Sequence, residues 1–372
     1  VYIPMNKTLE LMDLKARVIT SENKIINFDK DNIKALESED ASFNIFAVEG
    51  AEVGGEIEYY YTIKVNASSF ITRVFQYPHP VKSYDFSLKC PENLEYDFKV
   101  YNHDDEVVQI DTSDQYNQYG FIAEDLPPLY SEDFGAYENS KARIEFKLAY
   151  NSKRGKSRLF TWGEAGQRVE GIVYSINKDE QKAVDKLLKS IDLTTDNLSN
   201  LNFIEHHIKS NFFLQKEAGD EGRLLDKILK NKYATSEGFT RLYAAILKTL
   251  EIKHEIVLAS DKNKHAFDPE FDSWNYLDEY LIYINELEQF LSPKDIAFRT
   301  GTTPIEYLGS NGLFVRLEPI QDFMVPVARI GYLPDQSYKN NFDNLNIHVS
   351  CSGEIDQNTV NVERSFSGYS AE

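Results

Sequence analysis

The chain has 372 residues, 42% of them hydrophobic and 13% aromatic, a composition that suits globular domains, and at this length two or three of them. Forty basic side chains against sixty acidic ones give a formal charge of −20, the wrong sign for a nucleic-acid backbone or an anionic membrane surface. No apolar run approaches the ~20 residues that span a bilayer, so the chain is not expected to cross a membrane.

The chain opens at Val1 rather than Met, which suggests that a leader or an upstream segment has been removed. Up to about residue 165 the dominant period is two. In GEIEYYYTIKV, Ile57, Tyr59, Tyr61, Ile63 and Val65 fall on one face, and Glu56, Glu58, Thr62 and Lys64 take the other. LEYDFKVY and ARIEFKLAY repeat the pattern, and an antiparallel β-sandwich over 1–165 fits best. EDLPPLYSEDFGAY, residues 124–137, lacks a period and reads as an extended loop crossing that sandwich. GEAGQRVEG, residues 163–171, is glycine-rich without a convincing βαβ unit after it and reads as a hinge between domains.

Beyond Trp162 the period changes. NKDEQKAVDKLLKSI places acids in its first turn and lysines in its last, which is helix polarity. Leu198, Leu201, Ile204 and Ile208 mark a second helix, and EGRLLDKILKNK suggests a third. The strongest pattern follows Ser236, where Phe239, Leu242, Tyr243, Ile246, Leu247 and Leu250 recur at helical spacing. Strands HEIVLAS and YLIYIN come next, giving an α+β domain over 166–317. From 318 to 372 strand signals return in NLNIHVSC and NTVNVERSF, as though a further β domain begins there.

Two cysteines make neither a disulfide framework nor a zinc site. Cys90 and Cys351 each continue an alternating apolar face and are expected to be small buried hydrophobes. His206 and His207 are adjacent on a helix and diverge by about 100 degrees, so they do not chelate one ion together and are expected at the surface. Asp261, Asp268, Glu270 and Asp272 lack the glycine and closing glutamate of a calcium loop and read as a solvated acidic segment. No metal and no cofactor is expected.

VEGAEVGGEIEYYYTIKV, AEDLPPLYSEDFGAY and ILKNKYATSEGFTRLYAAILKTLEIKHEIVLASD resemble bacterial envelope proteins in which a β-sandwich domain of unknown function precedes a transglutaminase-like core. VNVERSFSGYSA resembles the start of the β domain that often follows that core. The resemblance implies a papain-like fold whose Cys-His-Asp triad has its cysteine at a helix N-terminus. Laid on this pattern, Ser236 stands at the cysteine, Glu279 at the histidine, with Tyr276 as the alternative register, and Ser292 at the aspartate. All three triad side chains are then replaced. Thr235 and Ser236 are left with a helix-capping role.

Two functions follow from that resemblance. One is a non-catalytic periplasmic or surface module that binds a peptide, a glycan or a protein partner. The other is an amide-bond hydrolase or acyltransferase centred on Ser236, with Glu279, His265 or His254 as base. A glutamate, with a reference pKa of about 4.3, is a weak base at neutral pH. Both histidines lie at positions that are more often solvent-facing.

Overall fold

The computed structural model describes residues 2–5, 8–28, 33–37, 42–112, 115–351 and 358–371. It divides into two compact units, Val1–Ser69 and Phe70–Glu372. The protein is β-rich, with several antiparallel sheets.

In the first unit Thr8–Ile19 pairs antiparallel with Glu56–Val65 and with Ile25–Asn27, while Tyr2–Pro4, Ser42–Phe46 and Ile33–Glu37 form a second three-stranded sheet. Among its described residues Ile3, Leu14, Ala16 and Val18 are buried, and Tyr61 and Ile63 pack against the cluster of the first three. The alternating stripe of Glu56–Val65 is therefore only partly used, and Ile57, Tyr59 and Val65 remain exposed.

The second unit begins with two three-stranded sheets face to face. Val81–Pro91, Val108–Thr112 and Tyr116–Leu126 make one; Phe70–Val74, Leu94–Tyr101 and Arg143–Asn151 make the other. Phe86 and Phe121 from one sheet meet Ile144 and Phe146 from the other, with aromatic centroids 5.5 Å apart for Phe86 and Phe146. Cys90 is buried on this inner face, and burial pushes its thiol pKa up. Of the stretch read as a loop, Glu124 to Leu126 continue a strand and Tyr137–Ser140 is a single helical turn. The irregular remainder is tied down by Leu129 N donating to Tyr77 O at 3.0 Å.

The segment read as a hinge is a helix, Trp162–Val169, continued by a wide turn, Glu170–Tyr174. Thr161 and Glu164 form a reciprocal capping box. Gly166 serves packing rather than flexibility: a Cβ there would lie 3.0 Å from the Ala328 Cβ of the strand beneath.

Helices Lys178–Lys189, Asn197–Asn211, Leu225–Asn231 and Ser236–Thr249 follow, then a five-stranded antiparallel sheet. Its order is Gln289–Leu291, Glu279–Ile284, His254–Ala259, Ser310–Ile320, Phe323–Leu333. The sheet thus runs past residue 317, where the core was expected to end, because Ser310–Ile320 pairs with both His254–Ala259 and Phe323–Leu333. Helix Ser236–Thr249 lies in the main core, with Leu242, Tyr243, Ile246 and Leu247 fully buried. Leu242, Ile246 and Leu247 each contribute roughly 1.5–3 kcal/mol of burial free energy.

Cys351 corrects the sequence reading. It is exposed, as are Leu345, Ile347 and Val349 on the same face. Phe342–Cys351 and Asn358–Ser367 form a two-stranded ribbon, and among the described residues no second layer covers its apolar side.

One buried ion pair joins the helices. Glu180 accepts from Asn177 N at 2.9 Å, Leu225 N at 3.1 Å and Arg241 Nη2 at 2.8 Å. Arg241 also donates to the carbonyls of Ile172, Ser175 and Arg223. Burial acts to raise the Glu180 pKa, but these donors outweigh it and hold the carboxyl below its ordinary value. A lowered folded-state pKa contributes stability above the unfolded value, and that contribution is lost as pH falls through the folded one. Glu180→Ala, which strands Arg241, is expected to cost about 3–5 kcal/mol in urea unfolding at neutral pH, with the difference from wild type shrinking in acid.

Candidate functional site

Thr235 leaves the short strand Tyr233–Ala234 in extended conformation and caps the long helix. Its hydroxyl accepts from Gly238 N at 3.1 Å and donates to Gly222 O at 3.2 Å, while its own N–H donates to the same carbonyl at 2.9 Å. A Cβ on Gly238 would sit 1.9 Å from Gly222 O, so only glycine admits this approach. Two residues were expected to share the capping role. Thr235 alone fills it, because its side chain already occupies the first-turn donor, and the Ser236 hydroxyl is left for another partner.

That partner is Glu279. Ser236 Oγ donates to Glu279 Oε1 at 3.1 Å, and Tyr280 N donates to the same oxygen at 3.2 Å. Glu279 opens the strand that pairs with His254–Ala259 and is 8% exposed. Its other oxygen accepts from Lys294 Nζ, which comes from the turn after Gln289–Leu291. The structure therefore brings Ser236 and Glu279 together. Ser292 is fully buried nearby in sequence but donates to Asp295, and Lys294 is the side chain that sits on Glu279. The lysine was missed by sequence reasoning; its only signal is a cation three residues beyond a strand that flanks a buried acid.

The remaining candidates are engaged elsewhere. Tyr276 is fully buried, and its hydroxyl lies 2.9 Å from Glu145 and 2.8 Å from the Tyr101 hydroxyl. Burial raises its pKa far above the usual phenol range. His265 was expected to face solvent; its Nε2 instead lies 2.9 Å from Glu145 Oε1, with its ring edge-on to Tyr276. Burial acts to raise the Glu145 pKa, but His265 and Arg143 outweigh it and hold the carboxyl low. His254, also expected outside, is half-buried with Nδ1 2.8 Å from Ile252 O, and burial depresses its pKa. His265 thus lies against a buried carboxylate and His254 against a backbone carbonyl. His206 is exposed and His207 half-buried.

Chemically, the arrangement is a hydroxyl, a carboxylate and an ammonium in series. Here the middle group is an anion whose second oxygen is held by a cation. Ser236 Oγ is poised as a donor, and Glu279 is fixed in place by three donors.

Residues 2–130 match a family described as a domain of unknown function with solved structure (DUF3857). No curated protein matches the chain. A crystal structure from Parabacteroides distasonis ATCC 8503, described as a "putative protease", superposes with a TM-score of 0.60 at 14% identity, covering 96% of this chain and 71% of that one. At that identity the likeness concerns the fold. No helix among the described residues is long and apolar enough to cross a membrane.

Lys294→Met, which leaves Glu279 buried without its cation, is expected to lower stability by about 3 kcal/mol or more. Ser236→Ala removes one hydrogen bond from a carboxylate that keeps two others, and is expected to cost no more than about 1.5 kcal/mol. Chemical denaturation of the two variants beside wild type measures both.

Proposed function

We propose that the second unit carries a transglutaminase-like, papain-like core whose catalytic positions have been converted into a binding scaffold. The chain is then a non-catalytic module, placed at the bacterial envelope, that holds a peptide, a glycan or a protein partner. On this reading the β-sandwich and the C-terminal β segment flank the core and present it.

The observation that carries the reading is the Ser236–Glu279–Lys294 series. A serine nucleophile needs a base that accepts its proton during attack and returns it to the leaving group. Glu279 is already charge-paired with Lys294, and the two histidines of the core loop and strand serve Glu145 and Ile252 O. The helix start and adjacent strand remain in register while the proton-transfer chemistry is gone.

One feature favours a second reading, an acid-active hydrolase: a buried carboxylate accepts directly from the Ser236 hydroxyl. A single set of assays separates the two. Wild type, Ser236→Ala and Ser236→Cys are incubated with casein and with a glutaminyl peptide plus an amine donor, from acid to neutral pH. No turnover above buffer is expected from any of them, since Ser236→Cys still lacks an imidazole. Turnover by wild type that disappears in Ser236→Ala would overturn the scaffold reading and establish the hydrolase.

A further inference from the structure

A cavity of about 270 Å³ opens where helix Trp162–Val169 meets the Trp274–Tyr280 segment. Its walls are aromatic and aliphatic: Phe70, Val169, Leu258, Trp274, Leu277 and Tyr280. Phe70 and Trp274 stack at 5.9 Å with 24° between their planes, and Phe160 meets Trp274 edge-on at 5.2 Å, so the aromatic wall is braced from behind.

The polar side chains around this cavity can all donate a hydrogen bond. Arg168 is exposed, with its guanidinium 5.6 Å from the Trp274 ring, and makes no ion pair among the described residues. Trp274 Nε1 is a buried N–H without a hydrogen-bond partner. The Tyr280 hydroxyl forms no hydrogen bond among the described residues, while its backbone N–H goes to Glu279. No acidic side chain lines the cavity, although the protein carries sixty acids.

We propose that this cavity binds a carboxylate carried on an apolar body the size of one large side chain, with Arg168 receiving the carboxylate and the Phe70–Trp274 wall receiving the body. Two sources have that chemistry: the C-terminal residue of a polypeptide that ends in a large apolar side chain, and a free aromatic acid. The site stands on its own residues and does not depend on how Ser236 is read.

Calorimetric titration of the whole chain with N-acetyl-phenylalanine, its amide, and a pentapeptide ending in phenylalanine tests it. The free carboxylate is expected to bind at least about tenfold more tightly than the amide, the value of one charge-assisted hydrogen bond. Arg168→Gln, at an exposed position, is expected to remove that preference without changing the thermal midpoint. The protein has two tryptophans, so in a Trp162→Phe background the fluorescence of Trp274 should respond to the ligand. Tighter binding of the pentapeptide identifies a polypeptide terminus; binding of the small acid with exclusion of the pentapeptide identifies a free acid. Equal affinity for acid and amide, an unchanged preference in Arg168→Gln, or no heat at ligand concentrations of about 10 mM would overturn the proposal.

Discussion

A charge buried in the core must be neutralised by groups that the fold delivers to it, and Glu279 imposes that requirement on three elements at once. The strand supplies the carboxylate, the turn after the next strand supplies Lys294, and the start of the long helix supplies Ser236. Moving any one of the three leaves an unpaired ion or an unpaired donor. The register Ala259 to Glu279 is fixed by the sheet, and the helix start is fixed by the Gly222 carbonyl pressed against Gly238, which together set the Ser236 hydroxyl beside the carboxylate.

The same kind of constraint explains why the sandwich of the second unit and the helical core behave as one body. Lys147 is fully buried and pairs with Asp272, which also takes two nitrogens of Arg158. Glu145, on the same strand as Lys147, collects Arg143, His265 and the Tyr276 hydroxyl. These polar side chains stand where an apolar seam would otherwise be expected. The acids of the 261–272 segment, which in isolation read as a solvated loop, are partly consumed here: Asp268 takes Lys99 and the Tyr101 hydroxyl, and Asp272 takes Lys147.

Elements with a strong internal period were legible in the sequence. Phe239 through Leu250 gave a helix, and the alternation in 94–101 and 143–151 gave paired strands, because the burial that stabilises each is written in its own spacing. Features decided by a distant partner were not. The glycines at 163 and 166 suggested a hinge until Ala328, far along the chain, showed what Gly166 accommodates. Cys351 repeated the alternation of Cys90, but its ribbon lacks an opposing sheet among the described residues, and pattern alone cannot report whether a second layer is present. Ser236 and Glu279 were found by position, whereas Lys294 required coordinates, since nothing in a lysine's local sequence declares that it neutralises a buried acid.

Replacing a triad does not by itself unmake a fold, because the residues that carry the chemistry are few and those that hold the framework are many. In this core the framework consists of the Thr235 cap, the Gly238 contact, the Glu180–Arg241 hub and the buried helix face. None of these contacts depends on a cysteine or an imidazole at the helix start. On the reading proposed above, such an exchange changes the sign and mobility of charge. An imidazole between thiol and acid can gain and lose a proton near neutrality, whereas Glu279 is paired with the Lys294 ammonium. On that reading, a serine hydroxyl and an ammonium that both engage one buried carboxylate suit holding rather than cutting.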